Sequence, residues 1–226
     1  DHHIERILHD PGTYELTTDE FRTPYVMLGL RTLVDPDDPA DLAAVHAIQD
    51  GFGLSAPSNE PFVLPDYEPT SLDATRDALL ALARGIDGFD RGFGRRDEVD
   101  PVRHIVCAAA GWGGLPEYEA YYVNVEPGLP VADYRIVVGE VPVDGFWSLS
   151  VYNAEGYFEP NERGVYNINS VTAEKDPDGG ITVHFGDRDA PNCIPIVDGW
   201  NYMVRLYRPR PEILDGTWTF PGLVGA

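Results

Sequence analysis

Two textures divide the chain. As far as about residue 114, apolar positions recur at helical spacing between prolines and glycines. Beyond it, short runs of Val, Ile, Tyr, Phe and Trp are separated by Gly, Pro, Asn and Asp. The first texture predicts helices. Asp38-Pro39 is a cap followed by a proline at the first helical position, and Leu42, Val45 and His46 share one face, so a helix is expected from Pro39 to about Phe52. Ser71 to Ile86 carries Leu72, Leu79, Leu82, Ala83 and Ile86 at helical spacing, with Gly85 and Gly88 closing the element. Asp100-Pro101 repeats the cap-plus-proline start for a helix to Gly111. Nearer the start, Thr17 and Glu20 read as a capping box for a single turn. Thr23-Pro24 ends that turn, and Tyr25 to Val34 reads as a strand. Pro57, Pro61, Pro65 and Pro69 break every period between Gly53 and Pro69, which makes this stretch an irregular linker and the best internal boundary.

The second texture predicts strands at Tyr121 to Val125, Tyr134 to Val138, Trp147 to Tyr152, Ile181 to Phe185 and Tyr202 to Tyr207. Asp176-Pro-Asp-Gly-Gly180 supplies a tight turn into Ile181, since glycine takes the positive φ such turns need. Short, closely spaced strands with no helices between them argue for an antiparallel sandwich over a parallel sheet. The expected class is therefore mainly β (α+β), with several N-terminal and linking helices. Three regions follow: 1–53, a linker and helix over 54–98, and a β-sandwich over 99–226.

Charge narrows the partners. Asp and Glu number 38 against 16 Lys and Arg, a formal net charge of -22, which repels nucleic-acid phosphates and anionic membranes. Nucleic acid is excluded as an expected partner. Lys175 is the sole lysine, and arginine supplies the other basic residues. Cys107 and Cys193 are too few for a disulfide framework and lack metal-pair spacing, so two structural thiols are expected. No apolar run reaches the roughly 18 residues a membrane span needs. The reading is of a soluble chain, in the cytoplasm or exported after loss of a leader.

Familiar chemical signatures are missing: there is no phosphate loop, dinucleotide fingerprint, His-Glu-x-x-His, Cys-x-x-Cys or Gly-x-Ser-x-Gly. No metal or cofactor is expected. His2, His3 and His9 cluster early, but surface polarity or a tag remnant explains them better than a metal. His46 is read as a core-edge residue with no role. Ser148 and Ser150 alternate with Trp147, Leu149 and Val151, and so are expected on the solvent face. His104 and Arg103 fall in the first turn of the Asp100 helix, where the dipole disfavours imidazolium. His104 thus becomes the candidate base or relay, or a residue that pins the helix. Polar aromatics and amides gather beside the glycines, and period-two spacing puts Tyr122 and Asn124 on one strand face. With Arg103, Trp112, Trp147, Tyr152 and Asn153 they form the candidate binding set for a small molecule. The alternative, that Asn and Tyr at strand ends satisfy turn backbones, stays open.

Many short motifs in order resemble one bacterial family. They are Asp100-Pro-Val-Arg-His104, Ala110-Gly-Trp-Gly-Gly114, Tyr122-Val-Asn124, Val143-Asp-Gly-Phe-Trp-Ser148, Val151-Tyr-Asn153 and Gly156-Tyr-Phe158. Pro191-Asn-Cys-Ile-Pro195, Gly199-Trp-Asn-Tyr202, Arg205-Leu-Tyr207 and Leu214-Asp-Gly-Thr-Trp218 continue the pattern. From about Val99 onward the chain resembles the domain of unknown function 1214. Leu33-Val-Asp-Pro-Asp37 and Ala44-Val-His-Ala-Ile-Gln-Asp50 resemble the end of its usual partner, domain 1254. The resemblance implies a jelly-roll-like sandwich, with an upstream half of the first domain missing here or on a separate chain. Similar chains often carry a cysteine opposite the match to Cys193, whereas Gly186-Asp-Arg-Asp-Ala190 has none. The family is sometimes labelled a carboxylesterase. Two functions stand: a hydrolase acting on a small apolar ester, with His104 as base, or a non-catalytic sandwich that binds a small ligand or assembles into a homo-oligomer.

Overall fold

The computed structural model describes residues 3–36, 38–86 and 88–225; His2 and Asp37, named above, lie outside them. The chain divides into two units, one of Ile7–Leu72 and one that joins Asp1–Arg6 to Asp73–Ala226.

In the Ile7–Leu72 unit, α1 spans Thr18–Phe21 and α2 spans Pro39–Asp50. The Asp38 carboxylate accepts from the Ala40 N–H at 2.8 Å, as the cap-plus-proline start demands. Thr17 occupies the cap of α1, but its side chain makes no cap hydrogen bond. His46 is exposed. Tyr25 to Val34 forms no strand. A strand needs a partner for its backbone groups, and among the described residues of this unit none pairs with it as a strand. Side chains organise the segment instead: the Tyr25 hydroxyl donates to the Pro61 carbonyl at 3.2 Å and its ring meets Phe62 edge-on at 5.2 Å. Helix α3, Pro69–Ala83, begins in this unit. Glu68 accepts from the N–H groups of Thr70 and Ser71 and so serves as its cap.

The larger unit carries α4 (Pro101–Ala110), α5 (Pro211–Leu214) and eight strands. These are β1 (Ala120–Val125), β2 (Tyr134–Val138), β3 (Trp147–Tyr152), β4 (Asn167–Asn169), β5 (Ile181–Phe185), β6 (Cys193–Ile194), β7 (Asn201–Tyr207) and β8 (Val224–Gly225). They form two four-stranded sheets, ordered β1-β7-β3-β4 and β6-β5-β2-β8. Every pairing is antiparallel except the two-residue contact of β5 with β6. The protein is a mainly β, α+β sandwich. The five strands expected from sequence are all present, with β1 and β7 each starting one residue earlier. Strands β4, β6 and β8 are short edge pieces with little periodicity of their own.

Alternation builds the core. Trp147, Leu149 and Val151 of β3 face inward beside Tyr202, Val204 and Leu206 of β7. Ile136 and Val138 of β2 join Ile181, Val183 and Phe185 of β5 from the other sheet. Full burial of each such aliphatic or aromatic side chain is worth about 1.5–3 kcal/mol, so the two inner faces supply the main drive for closure.

Helix α4 is fixed at its start by Asp100, whose carboxylate accepts from the N–H groups of Val102 and Arg103 at 3.0 and 3.1 Å. The Arg103 N–H bond is the main reason that the Asp100 pKa lies below its ordinary value. A depressed folded pKa gives stability that is present above the ordinary aspartate range and lost as pH falls through the folded value. Asp100→Asn keeps a cap and removes the titration. Its melting temperature should therefore fall less steeply than wild type between neutral and strongly acidic pH; matching slopes would refute this role.

Gly114 illustrates the packing before β1. A Cβ placed there would lie 2.2 Å from the ring of Phe93, itself 2 % exposed. Overpacking of this kind costs about 1–3 kcal/mol, so Gly114→Ala should lower the chemical-denaturation midpoint without changing the slope.

Candidate functional site

The period of two that buries Val204 and Leu206 turns Met203 and Arg205 of β7 to the outer face of the β1-β7-β3-β4 sheet. Register then decides their neighbours. Tyr122 of β1 and Ser148 of β3 flank Arg205, while Asn124 and Ser150 flank Met203. On the far side, β4 sets Asn169 beside Ser148 and Asn167 beside Ser150. The inner face of this sheet is apolar and the outer face is a field of hydroxyls and amides around one guanidinium.

Arg205 lies along β3. Its Nη1 donates to Ser150 Oγ at 3.2 Å and its Nη2 to the Tyr152 hydroxyl at 2.9 Å. Both acceptors are neutral, and among the described residues Arg205 pairs with no carboxylate. Ser150, expected in solvent, is only 6 % exposed. The reason is Arg205 itself, which crosses from the next strand to reach it. Guanidinium carries five N–H donors, and the two hydroxyls that accept from it keep their own protons to give. The cluster is therefore rich in donors and suits a ligand that brings acceptors.

Aromatic rings border the cluster. Tyr152 stacks on Phe158 with centroids 5.1 Å apart and planes 3° from parallel, and Phe158 stacks on Tyr166 at 5.2 Å. Asn153 shapes the turn that presents Phe158. Its Oδ1 accepts from the N–H groups of Glu155 and Tyr157, and its Nδ2 donates to Glu159. On the opposite side, the Tyr122 hydroxyl accepts from the Leu115 N–H at 2.9 Å and its ring meets Phe89 at 5.7 Å.

The structure thus brings Tyr122, Asn124 and Tyr152 to one sheet face, with Asn153 shaping its border. Trp147 is on the inner face, 3 % exposed and edge-on to Phe220 at 5.8 Å. Trp112 follows α4 and is 65 % exposed. Arg103 reaches back from α4 to Asp90, through both its backbone carbonyl and its carboxylate. His104 is 4 % exposed, with Nδ1 2.8 Å from the Gly92 carbonyl. A carbonyl only accepts, so Nδ1 carries the proton. The ring of His3 stacks on His104 at 4.6 Å, and burial, followed by the nearby His104 and Arg96, lowers the His3 pKa.

Sequence reasoning missed Arg205 and Ser150 as site residues. A signal was available: Arg205 is a charged residue between Val204 and Leu206, in a strand apolar enough to lie at the centre of a sheet. Among the described residues, no group of three His, Cys, Asp or Glu is placed to hold a metal ion, and no helix is long and apolar enough to cross a membrane. Both cysteines are buried and free.

The class defined here is an α+β sandwich with one polar outer face centred on an arginine. Within it, residues 127–211 match the family described as "Protein of unknown function (DUF1214)". The matched stretch includes Ser150, Tyr152 and Arg205 and stops short of His104, Tyr122 and Asn124. Among solved structures, the VPA0106 protein from Vibrio parahaemolyticus is similar at a TM-score of 0.53 and 19 % identity, over 91 % of this chain and 60 % of that one. The likeness is one of fold, and this chain spans 60 % of the Vibrio protein's length. An uncharacterised protein from Burkholderia cenocepacia gives a TM-score of 0.39 at 18 % identity, over 54 % of this chain and 33 % of that one. A comparison with curated proteins finds no significant match.

Proposed function

We propose that the outer face of the β1-β7-β3-β4 sheet binds a small organic carboxylate, with Arg205 holding the anion and the Tyr152–Phe158 stack lying along its apolar part. One observation carries the reading: in a chain with 38 acidic residues, the half-buried Arg205 guanidinium is held by two hydroxyls and, among the described residues, by no carboxylate. A charge at partial depth is normally paired. A ligand carboxylate would complete the set with the short, charge-assisted bonds that arginine makes in a fork. The test is calorimetric titration with matched pairs, such as benzoate against benzamide and hexanoate against hexanamide. Saturable binding of the acids and much weaker binding of the amides is expected; equal binding, or none, would remove the proposal.

A second reading is a hydrolase acting on a small apolar ester. It is favoured by the Ser150 hydroxyl beside the Arg205 guanidinium, a donor able to steady an oxyanion, with His104 as base on the sequence reading. Turnover of short acyl nitrophenyl esters, lost in both Ser150→Ala and His104→Ala, would support it. Turnover unchanged by either substitution would discard it.

The regional reading is part of the same proposal: 1–53 as the end of a domain resembling 1254, 54–98 as linker and helix, and 99–226 as the domain resembling 1214. Its support is the run of motifs together with the family match inside the last region. Limited proteolysis should cut first between residues 54 and 98, and first cuts within the sandwich would refute the division. A homo-oligomer, the remaining partner reading, would be seen directly as a multiple of the chain's 25.0 kDa in native mass measurement.

A further inference from the structure

The inner side of the same sheet ends in a cavity of about 350 Å³ that the Arg205 face does not use. One wall is β1, through Val123 and Val125, and the chain that leaves β1, through Pro127 and Leu129. The facing wall is the stretch from Phe220 to Leu223, and Tyr202 of β7 lies between. We propose that this cavity is a second binding site, specific for a neutral lipophilic molecule that carries a single hydrogen-bonding group.

Three features of the walls lead there. First, no lining side chain bears a charge, although Glu126 sits in sequence between two lining residues and the chain as a whole is strongly acidic. A lining without charge disfavours ionic ligands and favours apolar ones. Second, the walls are held apart. The Trp200 Nε1–H donates to the Leu129 carbonyl at 3.2 Å, which fixes the loop after β1, and Trp147 meets Phe220 edge-on, which fixes the other side. Two rigid prolines, Pro127 and Pro221, stiffen the same stretches. The volume lies at the lower end of the roughly 300–1,000 Å³ typical of small-molecule sites. The cavity opens to solvent, and its pinned walls keep it from closing while its apolar lining gives entering water few partners.

Third, there is one polar handle. Tyr202 is 2 % exposed, and its hydroxyl makes no hydrogen bond with the described residues. Tyr202 lines the cavity, and a tyrosine hydroxyl that the protein itself leaves unengaged can bond to a polar group on whatever occupies the space beside it. Burial raises the Tyr202 pKa to about 12, so the hydroxyl stays protonated across the working range and matches a neutral group such as an alcohol, ketone or aryl amine.

The probe is phenylnaphthylamine, a neutral two-part aromatic with one N–H, followed by fluorescence titration and by energy transfer from the nearby Trp147 and Trp200. Saturable, blue-shifted binding is expected in the wild-type chain. Val125→Phe fills the cavity from β1 and should weaken binding at least tenfold. Leu129→Glu brings charge to the rim at a residue already 40 % exposed, so the fold is not at stake, and it should have the same effect. Decanol should displace the probe, and decanoate should do so far less well. Absence of saturable binding in the wild type, or affinity unaffected by both substitutions, overturns the proposal. Because the cavity and Arg205 lie on opposite faces of one sheet, failure of the carboxylate reading leaves this one standing.

Discussion

Replacing Arg205 with methionine should weaken carboxylate binding by about 2–4 kcal/mol, some tens- to several-hundredfold, since truncating one side of a hydrogen-bonded charge pair at partial depth typically costs 2–5 kcal/mol. Methionine is chosen to keep the apolar stem over Ser150. The loss then reports the guanidinium and not the packing beneath it. The matched amides, which bring no charge, should lose far less. Arg205→Lys should fall between the two, because an ammonium keeps the charge and loses the planar fork that reaches Ser150, Tyr152 and the ligand together. Titration calorimetry on the three proteins decides the matter. A methionine variant that binds acids as tightly as wild type would show that Arg205 is a structural brace for β3 and nothing more.

The largest stability effect should come from Phe185→Ala. Phe185 is completely buried and meets Trp200 at 5.3 Å and Tyr202 at 5.6 Å. Its removal deletes the ring that joins β5 to the inner face of the other sheet. Truncations of buried phenylalanine cost about 3–5 kcal/mol, partly through the cavity left behind. For a chain of this size that corresponds to a fall of roughly 6–20 °C in Tm. Val137→Ala, on β2 but 51 % exposed on the opposite face, should cost within about 0.5 kcal/mol. Equal losses at the two positions would mean that the sheets do not pack as described.

The sandwich was legible because its strands obey a strict alternation: Trp147, Leu149 and Val151 read inward whatever lies across from them. Helices α2 and α4 were legible because an aspartate cap and a first-turn proline are local signals that need no tertiary partner. Tyr25 to Val34 shows the limit of local reasoning. Its composition suits a strand, but a strand is a relation between two segments. Strands β4, β6 and β8 failed for the opposite reason: Asn167-Ile-Asn169 has turn-forming residues and is extended only because β3 offers it an edge.

The site was half legible. Period two placed Tyr122 and Asn124 together, and Tyr152 joined them through the register of β3 on β7, which no single strand reveals. Trp147 looked equally suited to a pocket, yet it belongs to the core face by the same alternation. Arg205 escaped notice because a lone arginine in a strand usually points to water. Only the cross-strand reach to Ser150 and Tyr152 distinguishes it.

Val204 and Arg205 are consecutive, and they serve opposite faces of the sheet. A strand that slips by one residue exchanges its faces, so an inserted or deleted codon within β7 would drive the guanidinium into the core and expose the valine. Fold and candidate site would be lost in the same event. Point substitution carries no such penalty, since Met203, Arg205, Asn124 and Ser148 sit outside the packed interior. Descendants of this chain are therefore free to diverge on the outer face while β7 keeps an invariant length, and variation among relatives should appear as exchanged side chains at alternate positions, never as altered spacing.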